Sequence, residues 1–180
     1  MTHKLFPAEE VRELKDNGAE TFTAQRAERA EPDHTPVLKI YNPHGKGVWL
    51  LTELAADGDT LFGLIDDGGN APHIGEVSMT ELKERRVVPR TLMRDSRGHL
   101  TALVRQERPL ERDRFFVTEY PLTVWLEAAQ RTGKIVEDEI ELALAAHKLK
   151  RPDDQPKQRR RGRPPVGERR APAMEQAIHD

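Results

Sequence analysis

The sequence predicts an α+β protein, in which a small, mostly antiparallel sheet of hairpins is packed by a few helices and followed by a disordered basic C-terminal tail. Short apolar runs separated by turn residues fill the middle of the chain, which is typical of hairpins. Apolar residues at helical spacing appear near the N-terminus and again from Pro121 onward. Beyond Arg151 the apolar pattern disappears, so almost nothing there could be buried.

Three parts follow from this pattern. Residues 1–36 are predicted to form an N-terminal helix and a polar linker, residues 37–150 the α+β core domain, and residues 151–180 the tail. The N-terminal helix is predicted to follow Pro7, because proline suits a first turn, and to end at Gly18. Residues 21–36 are polar and are expected to contribute little to the core.

The central hairpins carry the clearest strand signals. Residues 37–41 form a short apolar run that Asn42-Pro43 stops. Val48–Leu54 and Thr60–Asp66 are predicted strands joined by the turn dipeptide Asp57-Gly58, and residues 74–77 add another strand. Ser78 and Glu81 have the spacing of a capping box, which predicts a helix over residues 80–86.

The second half continues with a hairpin and two helices. Residues 91–106 predict the hairpin, with Gly98 in its turn, and residues 109–117 predict a strand that buries Leu110, Phe115 and Phe116. The first helix is predicted over residues 121–131 and ends at Gly133. The second is predicted over residues 135–150, with Ile140 and Leu144 on its buried face and Pro152 as its stop.

Composition excludes several classes of protein. The 180 residues include no cysteine, which excludes a disulfide framework, a cysteine-based zinc site and a thiol nucleophile. No apolar run approaches the roughly 20 residues that a membrane span needs, and the first ten residues do not resemble a signal peptide. We therefore expect a cytoplasmic protein without membrane contact, with association to the nucleoid as an option.

The net charge of −2 hides a division along the chain. Residues 148–180 hold 10 Lys or Arg against 5 Asp or Glu, a net charge of +5. Residues 1–147 hold 19 against 26, a net charge of −7. An acidic body with a basic tail predicts two separate binding roles.

The basic tail contains the clearest functional motif. The run Arg159-Arg160-Arg161-Gly162-Arg163-Pro164 resembles an AT-hook, a short segment that binds the minor groove of A·T-rich DNA. Gly162 lets the backbone reach the groove floor, and the flanking arginines suit the strong negative potential of a narrow minor groove. Pro164 keeps the chain extended. The alternatives are general attraction to polyanions and no binding role.

Carboxylates around the central hairpin form a weaker constellation. Asp59, Asp66 and Asp67 are the candidates for holding Mg²⁺ or Mn²⁺ in phosphodiester hydrolysis. Ordinary turn chemistry and a solvated sheet edge explain the same residues, so we assign no catalytic residue, no metal and no cofactor. The segment Glu111-Arg112-Asp113 is expected to make structural ion pairs, and Trp49 and Trp125 are expected to be core anchors.

Five segments follow one another along the chain: Pro36–Pro43, Trp49–Leu54, Asp59–Leu64, Gly75–Leu82 and Glu111–Asp113. Together, in this order, they resemble an uncharacterised family, domain of unknown function 2958. The likeness covers roughly residues 4–116. It implies a bacterial gene that is often carried by plasmids or other mobile elements, and it implies no activity.

The chain also departs from that family pattern. Asp67, His73 and Glu76 stand where relatives usually have leucine, glutamate and an aromatic residue, and the hairpin over residues 91–106 resembles an insertion.

The leading hypothesis is a non-enzymatic accessory protein of a mobile element or plasmid, whose tail binds A·T-rich DNA while the acidic domain contacts a protein partner. A metal-dependent nuclease or phosphotransfer enzyme is one alternative, and cleavage of DNA with Mg²⁺ or Mn²⁺ would identify it. The other is a DNA-mimicking inhibitor or interaction domain, which would compete with DNA for its partner.

Overall fold

A five-stranded antiparallel sheet forms the middle layer of the protein in the computed structural model, which describes residues 4–88, 90–94, 96–105 and 107–150. The strands, in chain order, are β1 (Leu38–Tyr41), β2 (Val48–Leu54), β3 (Thr60–Asp66), β4 (His73–Ser78), β5 (Arg86–Val87), β6 (Arg90–Arg94), β7 (Leu100–Arg105), β8 (Arg108–Pro109) and β9 (Glu111–Arg112). The helices are α1 (Ala8–Arg26), α2 (Met79–Glu84), α3 (Leu122–Thr132) and α4 (Glu139–Leu149). The main sheet has the order β4-β3-β2-β1-β9, so the predicted α+β class is confirmed.

Strand β2 separates two apolar cores, because successive side chains of a strand point to opposite faces. Trp49 and Leu51 belong to the core that includes Leu14 of α1 and Leu82 of α2. Leu50 belongs to the other core, which α3 and α4 cover. The protein is thus layered as helices, sheet and helices, and the predicted role of Trp49 as a core anchor is confirmed by its 3 % exposure.

Helix α1 does not end at Gly18, so that prediction is wrong. A Cβ atom on Gly18 would lie 2.4 Å from the carbonyl oxygen of Leu54, which shows that the glycine lets the helix approach the end of β2 closely. The amide of Asn17 donates a hydrogen bond to the carbonyl of Thr52 at 2.9 Å. Thr21 and Ala24 are buried as well, contrary to the expectation for this segment.

The central hairpins lie where the sequence predicts them. Strands β2 and β3 have the predicted bounds, and Gly58 adopts a φ of +77° in the turn between them. The side chain of Asp57 accepts the N–H groups of Asp59 and Thr60, both at 2.9 Å. The hydroxyl of Ser78 accepts the N–H of Glu81 at 3.0 Å, so the predicted N-cap of α2 is confirmed.

Two smaller ladders complete the sheets. Strands β6 and β7 pair antiparallel as a separate two-stranded sheet, which confirms the second hairpin, and Gly98 has a φ of +81°. Strands β5 and β8 form the other ladder.

The predicted strand over residues 109–117 is wrong. Only the two-residue strands β8 and β9 form there, and the chain leaves the main sheet at Asp113, whose N–H donates to the carbonyl of Lys39. Leu110 is buried as expected, and Phe116 is half-buried. Phe115 is 87 % exposed, because the chain turns where the side chain of Asp113 accepts its N–H.

Helix α3 agrees with the sequence, and α4 does not. Gly133 ends α3 with a φ of 76°, as predicted. Helix α4 begins at Glu139, because the side chain of Asp138 caps it by accepting the N–H groups of Ile140 and Glu141. Its buried residues are Leu142 and Ala145, whereas Ile140 and Leu144 are exposed, so the predicted buried face is wrong.

No helix in the described part of the chain is both long and apolar enough to cross a membrane. The predicted stop at Pro152 and the AT-hook-like residues Arg159–Pro164 lie outside the described residues.

Candidate functional site

An open groove of about 700 Å³ lies on the side of the sheet that α3 and α4 cover. Its walls are the segment of residues 113–121, the N-terminal half of α3, and the segment of residues 137–150 that contains α4. Four carboxylates line it together with aromatic and aliphatic side chains. The carboxylates are Asp113, Glu119, Glu137 and Glu139. The groove therefore combines apolar contact area with negative charge.

Lys39 of β1 holds two walls of the groove together. Its side chain is only 10 % exposed, and its Nζ donates to Asp113 Oδ2 at 3.1 Å and to the carboxylate of Glu137. The ammonium also lies 5.8 Å from the ring centroid of Tyr41 and 5.9 Å from that of Phe116. One cation thus joins the sheet to two segments of the groove wall that are distant in sequence.

The carboxylates around Lys39 keep its charge. Burial alone would lower the pKa of Lys39, but the bonds to Glu137 and Asp113 outweigh it and raise the pKa above the ordinary value of 10.5. Burial would likewise raise the pKa of Asp113, whereas the N–H of Phe115 and the ammonium of Lys39 lower it below 3.8. Lys39 is therefore a positioning cation at neutral pH.

An aromatic cluster forms the floor of the groove. The rings of Phe116 and Trp125 have centroids 5.9 Å apart and are tilted by 53°. The indole N–H of Trp125 donates to the hydroxyl of Thr118 at 3.3 Å, and Trp125 is 3 % exposed, which confirms it as a core anchor. Phe115 and Val117, at 87 % and 88 % exposed, rise from this floor into solvent.

Tyr120 makes another connection between the walls of the groove. Its hydroxyl donates to the carboxylate of Glu139 at 2.6 Å, and this bond raises the pKa of Tyr120 above 10.0. Glu139 is the first residue of α4, so the bond connects that helix to the segment before α3. The position of Glu139 at the start of α4 is consequently fixed by a bond from another wall of the groove.

The three candidate carboxylates that the sequence singles out as a metal site lie at opposite ends of β3. Asp59 precedes β3, whereas Asp66 and Asp67 lie at its other end, roughly 20 Å away for seven residues. Among the described residues, no group of three or more His, Cys, Asp or Glu could hold a metal ion. The structure therefore does not bring the three candidate carboxylates together.

Each of those three carboxylates makes local hydrogen bonds. Asp59 accepts from the hydroxyls of Ser78 and Thr80 at 2.6 and 2.7 Å, and the Ser78 bond is the main cause of its lowered pKa. Asp66 accepts the N–H groups of residues 68 and 135, at 3.1 and 3.3 Å. Asp67 accepts the N–H of Gly69 at 2.9 Å, which lowers its pKa. All three shape turns or join elements.

These shifts predict how stability depends on pH. Folding lowers the pKa of the carboxyls of Asp59, Asp67 and Asp113 below 3.8. These groups therefore stabilise the folded state above pH 3.8, and that contribution is lost as the pH falls through their pKa values in the folded protein. Lys39 has a raised pKa, so its contribution is complete below 10.5 and is lost as the pH rises through the folded value. We expect a stability plateau between about pH 5 and pH 9.

The variant Asp113→Asn tests the carboxyl share of this dependence. We expect it to unfold about 1 kcal/mol more easily at neutral pH, because Lys39 loses a charged partner, and to show a shallower loss of stability below about pH 4. Urea unfolding measured at several pH values gives both quantities. An acid limb as steep as in the wild type would contradict the role of Asp113.

The sequence predicts the ion pairs of the Glu111-Arg112-Asp113 segment but not the groove that these residues border. Arg112 pairs with Glu10 of α1 and Asp113 with Lys39, which confirms the structural interpretation. The position of Lys39 in the sequence does indicate such a contact, since a lone lysine between Leu38 and Ile40 in a buried strand needs a charged partner.

Comparison with known proteins identifies one family. A family model described as "Protein of unknown function (DUF2958)" matches residues 5–136. No curated protein and no solved structure matches the chain. Helix α4 and the basic residues after it lie beyond the matched range, so the groove joins a wall inside the match to a wall outside it.

Proposed function

The chain belongs to the DUF2958 family, whose description assigns no activity, and on that premise we propose that it is a non-enzymatic accessory protein of a bacterial plasmid or other mobile element. Its acidic α+β domain docks a protein partner through the groove. Its basic tail binds the minor groove of A·T-rich DNA through residues 159–164. The two activities together would bring the partner to DNA.

The exposed pair Phe115 and Val117 is the observation that carries the protein-docking part. These two large apolar side chains are 87 % and 88 % exposed and lie beside a groove with an aromatic floor. Such side chains are more typical of the anchor residues of an interface than of ordinary surface residues. The carboxylates around them favour a partner segment that carries cationic side chains.

The division of charge supports assigning DNA to the tail. DNA repels residues 1–147, with their net charge of −7, and attracts residues 148–180, with their net charge of +5. The Arg-Gly-Arg-Pro centre adds a physical reason for A·T preference, since A·T tracts have a narrow minor groove that accepts guanidinium groups. The test is retention on A·T-rich and G·C-rich duplexes across salt concentrations.

The variant Phe115→Asp/Val117→Asp tests the docking part. We expect capture of the partner to fall at least about tenfold, because charged residues replace two apolar anchors. The measurement immobilises the full chain, exposes it to an extract of its native host, and quantifies the bound proteins by mass spectrometry.

A matched control removes the same residue types elsewhere. Phe22→Asp/Val88→Asp changes two side chains that are 47 % and 46 % exposed, and it should capture the partner like the wild type. Thermal unfolding of both variants verifies that each is folded. Equal capture by all three proteins would remove the groove from the proposal.

A further inference from the structure

The groove ends where the basic segment of the chain begins. Leu149 and Lys150, the last residues of the described chain, line it directly. The thirty residues that follow are therefore attached to the domain at a residue that lines the groove.

Charges on the two sides are complementary. Around the groove, four carboxylates stand against the ammonium groups of Lys39 and Lys150, for a net charge of −2. Residues 157–170 contain seven Lys or Arg and one Glu, a net charge of +6 over fourteen positions. Arginine is the cation best suited to a site with both carboxylates and aromatic rings, because its planar group can pair with one and stack on the other.

The segment is long enough to return along the groove. Helix α4 has 11 residues, so its two ends are about 16 Å apart. The seven residues from 151 to 157 span up to about 24 Å when extended. The first cations of the segment can therefore reach Glu139 and Glu119 at the far end without any change in the domain.

We propose that the groove is the docking site of the chain's own basic segment, residues 157–170, and that A·T-rich DNA and the groove compete for it. This inference rests on the proposed function, and it adds regulation to it. When DNA binds the segment, the segment leaves the groove and the partner can dock there. The segment and the partner thus exclude each other from the groove, so DNA binding promotes partner binding. Without DNA, the segment shields Phe115 and Val117 from other proteins.

A single nitroxide label on the segment tests the contact directly. The chain has no cysteine, so Gln158→Cys accepts one label without further changes. In the full chain at low salt, we expect the label to broaden the backbone amide signals of residues 118–120 and of the first turn of α4. We expect the amides of α1, on the opposite side of the sheet, to stay sharp.

The variant Glu119→Gln/Glu139→Gln separates docking from mere nearness. Both residues are exposed, and a glutamine at 139 can still accept the hydroxyl of Tyr120, so the fold should persist. We expect occupancy of the groove to fall about threefold and affinity for A·T-rich duplex to rise by a similar factor. The matched control Glu13→Gln/Glu20→Gln changes the net charge equally on α1 and should change neither quantity.

Two further outcomes decide the matter. If the labelled segment broadens the same amides equally in the groove variant and in the control, it only samples the space near its attachment, and the inference is overturned. Adding A·T-rich duplex should sharpen the groove signals, and signals that stay broad with the segment bound to DNA would also overturn it. The label reports docking without DNA, so a failure of DNA binding alone would be seen separately in the retention assay.

Discussion

Replacing Gly63 with alanine should cost about 3 kcal/mol or more of the free energy of unfolding. A Cβ atom at this position would lie 2.0 Å from the carbonyl oxygen of Leu50 and 2.9 Å from the Cα of Leu51. These are backbone atoms of the neighbouring strand, so no side-chain rotation can relieve the overlap. Single domains are stable by roughly 5–15 kcal/mol, so the variant should unfold at a much lower urea concentration.

The reason for the close approach is a bulge in β2. Gly63 pairs with Leu51, and the register then shifts so that Phe62 pairs with Glu53. Thr52 is the extra residue, and its hydroxyl donates to the carbonyl of Phe62 at 3.2 Å. Bulges bend a strand and bring backbones together, so only glycine fits opposite this one.

The control for this prediction is Gly69→Ala. The nearest atom to its added Cβ would be Asp67 Oδ1 at 3.6 Å, which is an ordinary van der Waals distance. We expect this variant to stay within about 0.5 kcal/mol of the wild type. A Gly63→Ala protein as stable as Gly69→Ala would mean that the pairing of β2 and β3 described above is wrong.

The elements that the sequence predicts well are those fixed by local chemistry. Strands β2 and β3 follow from their apolar runs, and the turn between them follows from Asp57 and Gly58, which satisfy the turn by themselves. The cap of α2 likewise needs only Ser78 and Glu81. Each of these features is decided within about ten residues of chain.

The features that the sequence misses depend on distant contacts. Ile140 and Leu144 have helical spacing, but so do Leu142 and Ala145, and only packing against α3 and the sheet selects the second pair. The groove has the same origin, since Lys39 joins Asp113 and Glu137, which are 74 and 98 residues away along the chain. No local pattern indicates that these three residues meet.

The second large effect concerns Arg161 and Arg163. Changing both to alanine should lower affinity for A·T-rich duplex about a hundredfold, since an arginine that reads a groove typically contributes about 1–3 kcal/mol. Two lost phosphate-neutralising charges should also reduce the slope of log affinity against log salt by about 1.8. Fluorescence anisotropy with A·T-rich and G·C-rich duplexes, at several salt concentrations, measures both quantities.

The matched variant Arg159→Ala/Arg160→Ala decides between an AT-hook and a general polyanion tail. It removes the same charge from the same basic run but leaves the Arg-Gly-Arg-Pro centre intact. If Gly162 lets the backbone reach the groove floor, this variant should lose affinity equally on both duplexes and keep its A·T preference, whereas Arg161→Ala/Arg163→Ala should lose that preference. Identical behaviour of the two variants would mean that charge alone holds the tail to DNA, because only insertion into the minor groove makes the position of an arginine matter.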